Sequence, residues 1–498
     1  MSTEYFDVVI VGAGLSGIGV AYHLQNNCPS KSYVILEGRE AMGGTWDLFR
    51  YPGIRSDSDM YSYGYKFKPW RDVKKIADGA SILEYLQETA SENGIDGHIR
   101  YSHRVKKASW SSAFATWTIE LENKNAIACN FLVMCSGYYS YENGYTPEFK
   151  GRDRFQGAIV HPQHWRENLD YRNKKVVIIG SGATAITLVP EMAKTANHVV
   201  MLQRSPTYIV SSPNQDKLAN FLKKVLPEPI AYRIIRWKYI RLQQFFYNRA
   251  RKKPQQVKEM LLDGVRQQLD QRSVAGSAVS RWSTADSNHD VETHFTPRYN
   301  PWEQRLCLVP NSDLFQALNS GKASVVTDSI ETFTEKGILL KSGQELETDI
   351  IVTATGLNLL LLGGVEFVVD DQPVDFSETY IYKGLMYSDV PNMVSIFGYI
   401  NASWTLRADL MAEYICRVIN LMDKGGCRQC TPRLREEDHT MQAHPFIEEF
   451  SSNYLQRVMH LLPKQGDRAP WINPQNYRRD KKMLRHSAIE DGVLVFSK

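Results

Sequence analysis

Gly12-Ala13-Gly14-Leu15-Ser16-Gly17 directly follows a short apolar run, Tyr5–Val11, and leads into a helical pattern. The run is rich in β-branched residues, which predicts a buried parallel strand. In such a strand–turn–helix, Gly12 makes the tight turn and Gly14 lets the backbone approach a pyrophosphate. Gly17 lets the helix pack closely on the strand. The stretch therefore predicts a Rossmann-type dinucleotide-binding unit.

The residues that follow complete this first unit. The predicted helix, Leu15–Asn26, directs its first N–H groups towards the phosphates. The next predicted strand, Ser32–Leu36, ends at Glu37, twenty residues beyond Gly17. An acid at this distance binds ribose hydroxyls. A second glycine-rich loop follows, and its residues Gly44, Thr45 and Trp46 are candidates for contact with a flat ring or a phosphate, because glycine allows close backbone approach.

A second strand–turn–helix–strand unit is predicted around Gly180-Ser181-Gly182-Ala183-Thr184-Ala185. Its strands are predicted at Lys175–Ile179 and His198–Leu202. The second strand continues into Gln203-Arg204 and not into an acid. Arginine at this point accommodates a 2′-phosphate, so the predicted nucleotide is NADP. The candidate contacts of this unit are Gly180, Gly182, Thr184, Ala185, Arg204 and Ser205.

A later apolar run, Asp349–Gly356, predicts one more buried strand, ending in small residues that include Gly356. We assign this strand to the first unit, so that the second unit is inserted into a discontinuous domain. The aromatic stretch Tyr138–Tyr145 is interpreted as a loop that leaves the first unit.

Composition limits the possible functions. A chain of 498 residues exceeds one ordinary core, and 43% hydrophobic with 23% charged residues is typical of a soluble globular protein. A net charge of +4 gives no case for nucleic acid binding. The apolar windows are too interrupted to span a membrane, and the seven scattered cysteines are typical of reduced thiols, so we expect a cytoplasmic protein. The one close pair, Cys427 and Cys430, lacks further ligands, and no metal site is predicted.

The segment 211–299 is helical and basic in pattern. Its apolar residues at helical spacing are Ala231, Ile234, Ile235, Tyr239, Leu242, Phe245 and Phe246. Arginines and lysines are interleaved with them. Two interpretations stay open: a helix on a membrane surface, and the commoner case of a helix whose apolar stripe packs on its own protein.

The linker Phe155-x-Gly157-x3-His161-x3-Trp165 resembles the signature of the type I Baeyer–Villiger monooxygenases. Gly-Gly-Thr-Trp at 43–46 and Ala-Thr-Gly at 354–356 extend the resemblance over the chain. These flavoproteins use O2 and NADPH to convert ketones into esters or lactones, and thioether oxidation is expected as well. The resemblance implies FAD on the first unit and NADPH on the second.

The same resemblance implies roles for individual residues. Asp57 and Arg305 match the family's active-site aspartate and arginine. His161 and Trp165 would couple nucleotide binding to domain motion without acting as acid or base. Two positions depart from the family. Arg166 stands where the signature ends in Pro or Asp, and Gln304 stands where a lysine commonly precedes the active-site arginine.

The predicted fold class is therefore α/β, with two Rossmann-like dinucleotide-binding domains and a helical insertion. The expected domains are 1–146 with 349–498 for FAD, 151–210 with 300–348 for NADP, and 211–299 for the insertion.

Three other functions are considered. A flavin monooxygenase that oxidises only soft nitrogen or sulfur usually has Phe or Tyr where Trp165 stands. A pyridine-nucleotide disulfide reductase needs a cysteine pair at the flavin, and neither glycine-rich unit is followed by one. A non-enzymatic membrane-binding flavoprotein is supported only by the basic helix.

Overall fold

The computed structural model describes residues 3–270, 290–448 and 450–498. Its first part contains β1 (Glu4–Val11), α1 (Leu15–Asn27), β2 (Tyr33–Leu36), α2 (Thr45–Leu48), α3 (Met60–Tyr63), α4 (Gly79–Glu92), β3 (Ile99–Arg100), β4 (Val105–Ser111), β5 (Thr116–Leu121), β6 (Ala126–Met134) and β7 (Tyr139–Gly144). The apolar run before Gly12 thus forms a strand whose last four residues are buried, and the helix begins at Leu15 as predicted.

The middle part contains β8 (Ala158–Val160), β9 (Lys175–Ile179), α5 (Ala183–Met192), β10 (His198–Gln203), β11 (Ile209–Ser212), α6 (Lys217–Val225), α7 (Glu228–Lys252), α8 (Pro254–Leu269), α9 (Val291–Phe295), β12 (Cys307–Pro310), α10 (Asp313–Asn319), β13 (Ala323–Thr327), β14 (Ile330–Phe333), β15 (Gly337–Leu340), β16 (Glu345–Glu347) and β17 (Ile350–Thr353). Residues 271–289 of the predicted insertion lie outside the described residues.

The last part contains β18 (Leu357–Leu359), β19 (Glu366–Val369), β20 (Gln372–Pro373), β21 (Ile381–Tyr382), β22 (Met386–Tyr387), β23 (Met393–Ser395), α11 (Trp404–Gly425), β24 (Gln429–Pro432), β25 (His444–Pro445), α12 (Asn453–Gln456), β26 (Lys464–Gln465), α13 (Tyr477–Lys481) and β27 (Leu494–Ser497). The long helix α11 packs beside α1, and both lie in the largest apolar core.

Two sheets organise the molecule. The first is nine-stranded, in the order β20-β19-β4-β5-β6-β1-β2-β3 with β23 also paired to β6. Within it β1 is central and parallel to both β2 and β6. The second sheet has five parallel strands in the order β13-β10-β9-β17-β8. The predicted α/β class with two Rossmann-like units is confirmed.

The assignment of the strand at 350–353 to the first unit is wrong. β17 lies between β9 and β8 in the second sheet, where Ile351 is opposite Val177 on one side and Ile159 on the other. The chain rejoins the first sheet only at β19. Small residues after a buried strand are equally typical of both units, so the sequence pattern alone could not place this strand.

The stretch Tyr138–Tyr145 is also not a simple loop. It forms β7, which pairs with β18 in an antiparallel ribbon. These are the two places where the chain passes between the sheets, and Thr355 Oγ1 donates to the Tyr145 carbonyl at 2.6 Å beside them. Buried and exposed residues do not alternate along β7, so periodicity could not identify it as a strand.

The apolar residues predicted to share one face of α7 do not share it. Ala231, Ile235 and Tyr239 are buried, whereas Ile234 and Phe245 lie on the exposed side. Arg236 is buried with them and donates to the carbonyls of Tyr61, Ser62 and Gly64. In the described part of the chain, no helix is both long and apolar enough to cross a membrane.

Candidate active site

A cavity of about 1550 Å³ lies between the two sheets and is lined by both glycine turns. Pockets for a single small ligand are typically ~300–1000 Å³, so this space suits more than one ligand. The predicted site residues that line it are Gly12, Gly14, Glu37, Gly44, Thr45, Trp46, Asp57, His161, Gly180, Gly182, Thr184, Arg204, Ser205, Arg305 and Gly356.

Five predicted residues do not line this cavity: Gly17, Phe155, Gly157, Trp165 and Ala185. Gly17 and Ala185 act in packing beneath the turns. A Cβ on Gly17 would stand 1.9 Å from the Gly12 carbonyl oxygen, and Ala185 is fully buried in the core of the second unit. Their helices can therefore approach the strands closely, which is what the turns require.

The first turn is built for close backbone approach. Gly12 has a φ of +105°, and a Cβ there would lie 2.5 Å from the Cys135 carbonyl oxygen. The Cβ position of Gly14 faces the Gly44 Cα at 3.6 Å, so two glycines meet at the cavity wall. The geometry fits a dinucleotide pyrophosphate at the N-terminus of α1.

Glu37 lies at the end of β2, and its carboxylate is held by the turn itself. Ala13 N donates to Oε2 at 2.8 Å, and Arg39 N donates to Oε1 at 2.9 Å. Burial raises the pKa of Glu37, although the two N–H groups oppose the shift. The remaining lone pairs can accept ribose hydroxyls, so this acid fits the role predicted for it.

Aromatic side chains form much of the wall beside the Gly43–Trp46 loop. Thr45 Oγ1 and the Tyr139 hydroxyl share a hydrogen bond of 2.6 Å, and Trp46 Nε1 donates to the Tyr63 hydroxyl at 2.9 Å. Trp404 stacks on Tyr138 with ring centroids 5.4 Å apart. No nucleotide-binding motif marks Trp404, because it joins the site from the start of α11, far along the chain.

Arg305 and Asp57 form an ion pair in the cavity although 248 positions separate them. Nε donates to Asp57 Oδ2 at 2.9 Å, and Nη2 lies 2.8 Å from the same oxygen. Nη1 donates to the Ile400 carbonyl at 2.5 Å. Burial is the largest single effect and lowers the pKa of Arg305, but the charge and hydrogen bond of Asp57, together with Tyr454 and Tyr138, raise it by more in sum, so the net pKa is raised. The guanidinium is therefore a fixed cation with a partly exposed face.

The second turn resembles the first in shape. Gly180 has a φ of +135°, and a Cβ there would lie 2.3 Å from the Ala354 carbonyl oxygen. Gly182 precedes α5 and lines the cavity, and a Cβ there would meet nothing within 4 Å, so the space beside the turn is open. Ser181 Oγ donates to the Ser205 carbonyl at 2.9 Å, which links the turn to the segment after β10.

Two cations stand where β10 and β13 end. Arg204 follows β10, and Lys341 is brought beside it by a chain of backbone bonds. Asp328 N donates to the Gln203 carbonyl at 3.0 Å, and Lys341 N donates to the Ser329 carbonyl at 2.9 Å. Both side chains line the cavity, and neither lies within 4 Å of a carboxylate among the described residues, although the charge of Lys341 helps to lower the pKa of the neighbouring Asp328. An arginine and a lysine side by side complement the negative charge of a 2′-phosphate.

Sequence reasoning missed Lys341. It lies in the turn between β15 and β16, more than 130 positions beyond Arg204, and no motif marks it. The only signal was a lysine in a short polar turn, a pattern that is common on protein surfaces.

The linker residues connect the cavity to the ribbon of β7 and β18. His161 Nδ1 accepts from Gln163 N at 3.1 Å, and its ring lies so close to Gly144 that a Cβ there would be 1.9 Å away. Burial lowers the pKa of His161. A Cβ on Gly157 would lie 2.3 Å from the Asp349 carbonyl oxygen, and Trp165 packs edge-on against Tyr171.

The cysteines do not form a redox pair at this site. All seven are free thiols, and Cys427 and Cys430 are absent from the cavity lining. No group of three or more metal-ligating side chains occurs within the described ranges.

Comparison with known proteins agrees with this geometry. A Flavin-binding monooxygenase-like family model matches residues 54–279, and an NAD(P)-binding Rossmann-like domain matches residues 10–71. Among solved structures, a steroid monooxygenase bound to NADP is 23% identical with a TM-score of 0.68, covering 87% of this chain and 88% of that one. An open cyclohexanone monooxygenase is 19% identical with a TM-score of 0.70, covering 88% and 91%. These structures show the shared fold.

Sequence relatives are much closer. FAD-containing monooxygenase EthA of Mycobacterium tuberculosis is 51% identical, over 100% of this chain and 98% of the relative. Probable FAD-binding monooxygenase AlmA of Acinetobacter baylyi is 48% identical, over 99% of this chain and 97% of the relative. With full-length identity of this degree, and with two dinucleotide turns facing one cavity, the chain belongs to the FAD-containing monooxygenases.

Proposed function

We propose that this enzyme uses NADPH and O2 to insert one oxygen atom next to the carbonyl of a small ketone, giving an ester or lactone, and that it also oxidises thioethers to sulfoxides. The observation that carries the proposal is the Arg305–Asp57 pair, a fixed cation in the cavity that both glycine turns reach. FAD, when bound, supplies the oxygen chemistry after it has accepted hydride from NADPH.

Arg305 is the catalytic residue of this proposal. Attack on a ketone places negative charge on the carbonyl oxygen, and a guanidinium already held in position stabilises that charge without reorganising. Asp57 and the Ile400 carbonyl hold three of its N–H groups, which leaves the rest of the guanidinium for the substrate. Asp57 is a positioning residue, because it sets the direction of Arg305.

The proposed domain assignment follows the two turns. The first sheet and its turn at Gly12 would hold FAD, and the second sheet and its turn at Gly180 would hold NADPH. We place the boundary of the NADPH unit after β17 and not at 349, because β17 is hydrogen-bonded inside the second sheet. The segment 211–299 stays a proposed insertion in that unit.

The charge at Arg204 and Lys341 supports NADPH as the reductant. Two unpaired cations beside the end of β10 complement a phosphate on the 2′-oxygen, whereas a bare ribose would gain little from them. Lys341 thus supplies a charge in the region where Gln304 supplies none. Seven free thiols support the cytoplasm as the compartment.

The decisive experiment is product analysis with the FAD-loaded protein, NADPH and labelled O2. A panel of ketones and thioethers is turned over, and the label is located by mass spectrometry. One labelled oxygen in an ester or lactone supports the proposal. Labelled sulfoxide with no ester from any ketone would instead indicate a monooxygenase limited to soft atoms.

A further inference from the structure

Helix α7 presents apolar side chains to solvent on the face opposite its buried face. Ala231, Ile235 and Tyr239 pack inward. Ile230, Ile234, Trp237 and Phe245 follow one another at helical spacing on the outer side and are 49%, 41%, 61% and 62% exposed. We call these four residues the α7 stripe. It extends for about 22 Å, at ~1.5 Å of rise per residue.

The exposure is concentrated in this part of the molecule. Among the described residues, eight of the fourteen large apolar side chains with high exposure lie between 218 and 245. Three of the eight, Leu218, Phe221 and Val225, follow one face of α6. Asp216, at the start of α6, accepts from the Tyr239 hydroxyl at 2.6 Å, so α6 is fixed to α7. Monomeric proteins rarely expose so many contiguous apolar side chains, and such surfaces usually mark an interaction site.

The same two helices are strongly basic. Residues 217–253 contain eleven lysines and arginines and one acid, Glu228, although the whole chain is close to neutral. Glu228 is already bound by Arg71 at 2.8 Å. Arg233 is exposed beside the α7 stripe, and Arg241 is exposed within it, between Trp237 and Phe245. The Arg241 guanidinium lies 5.5 Å from the Trp237 ring centroid, so charge and apolar surface stand side by side.

We propose that α6 and α7 dock on an anionic phospholipid bilayer, with α7 lying in the plane of the interface. Trp, Phe and Ile side chains enter the boundary between headgroups and acyl chains, while the long side chains of Arg233 and Arg241 extend to the headgroups and bind phosphates. A second copy of this chain fits the surface poorly, because two such faces would bring cations against cations. The bilayer satisfies both properties of the surface at once.

The test is flotation of the FAD-loaded full chain with vesicles of phosphatidylcholine, alone or mixed with phosphatidylglycerol. Binding is expected only to the mixed vesicles and should weaken as salt is raised. Arg233→Gln and Arg241→Gln should each weaken binding roughly fivefold. The double variant Trp237→Ser/Phe245→Ser should abolish it. Matched controls are Phe114→Ser, at a residue that is 70% exposed elsewhere, and Lys106→Gln; both should bind as the parent does.

All variants should keep the flavin spectrum and the rate of NADPH oxidation without vesicles, which shows that they fold. Failure of the parent protein to bind either vesicle would overturn the proposal. An equal loss of vesicle binding in Phe114→Ser and Lys106→Gln would also overturn it. Analytical ultracentrifugation tests whether the surface instead binds a second copy of this chain. If the parent protein binds no vesicles but forms a concentration-dependent dimer that the Trp237→Ser/Phe245→Ser variant does not form, the surface would be a self-association site and the bilayer proposal would be wrong.

Discussion

At the scale of single residues, Arg305 is the most informative side chain. Its guanidinium is oriented by Asp57 and the Ile400 carbonyl before any substrate arrives. Arg305→Ala should leave reduction of the flavin by NADPH largely intact, because that step forms no anionic oxygen. Ester or lactone formation should fall by roughly a hundred- to a thousandfold, or ~3–4 kcal/mol. Stopped-flow reduction followed by product analysis measures the two steps separately.

Arg305→Lys is the matched control, because lysine keeps the positive charge but lacks the planar guanidinium. It should restore only part of the ester or lactone yield that Arg305→Ala loses. The consumed NADPH in Arg305→Ala should appear as hydrogen peroxide. An ester yield equal to that of the parent protein would show that Arg305 does not act on the substrate.

Arg204 and Lys341 should share the recognition of the 2′-phosphate. Each contact to a charged group contributes ~1.5–3 kcal/mol, so Arg204→Ala and Lys341→Ala should each weaken NADP⁺ binding roughly tenfold or more. Binding of NAD⁺ should change little. Calorimetric titration with 2′,5′-ADP and with 5′-AMP measures the phosphate contribution directly, independently of turnover.

Lys336→Ala is the control, because Lys336 is an exposed lysine at the other end of β15 and does not line the cavity. If Lys341→Ala weakened both nucleotides equally, its role would be structural. If only Arg204→Ala weakened NADP⁺ binding, Arg204 would be the contact to the 2′-phosphate and Lys341 would take no part.

At the scale of elements, the linker is expected to transmit geometry and not protons. His161 packs on Gly144 of β7, and burial keeps its pKa low, so the ring stays neutral. His161→Ala and Trp165→Ala should retain FAD and the fold but release more hydrogen peroxide per NADPH consumed. The ratio of product to peroxide is the measurement. A shifted pH optimum with unchanged coupling would instead indicate acid–base chemistry.

The position of β17 makes a prediction about fragments. Ile350, Ile351 and Val352 are buried in the centre of the second sheet, and burying each such side chain stabilises by ~1.5–3 kcal/mol. A fragment of residues 147–356 should therefore unfold cooperatively on heating. A fragment of residues 151–348 lacks β17 and should not. Circular dichroism of the two fragments compares them, and equal cooperativity would show that β17 is dispensable.

These elements show what a sequence can predict. Gly12–Gly17 and Gly180–Ala185 determine local backbone geometry, so both turns and their flanking strands could be predicted from a few positions. The Arg305–Asp57 pair was predicted only through resemblance, because 248 positions separate the partners. The sheet that receives β17 depends on long-range pairing, and the outer stripe of α7 depends on which face meets α3. The spacing of apolar residues in the sequence shows neither which strands pair nor which face of a helix is covered.

At the scale of the whole molecule, one buried and two half-buried histidines are expected to make the stability of the fold depend on pH. Burial lowers the pKa of His161, His198 and His294 below the ordinary histidine value of 6.5. The unfolded chain binds these protons more readily than the folded one. The contribution of these three histidines to the free energy of unfolding is therefore complete above pH 6.5 and is lost as pH falls below it. The melting temperature should accordingly decrease from neutral to mildly acidic pH.

The histidine variants separate this effect from general acid sensitivity. His198 is held between the Gly321 carbonyl and Ser324, at 3.2 and 2.8 Å. His198→Gln should flatten the pH dependence of the melting temperature, whatever its effect on stability at neutral pH. His439→Gln, at an exposed position, should leave the slope unchanged. Equal slopes in all three proteins would exclude His198 as a cause of the pH dependence.

The ribbon of β7 and β18 also determines how the molecule can move. Both passages of the chain between the sheets run through it, with Leu357 opposite Gly144 and Leu359 opposite Tyr139. The ribbon is not the only connection, because α7 packs in the core beside the first sheet and Arg236 donates to the carbonyls of Tyr61 and Gly64. Arg305 and Asp57 also join the two units across the cavity. A rotation that widens the cavity must therefore bend the ribbon and separate Arg305 from Asp57, so that the opening of the cavity and the orientation of the guanidinium are coupled.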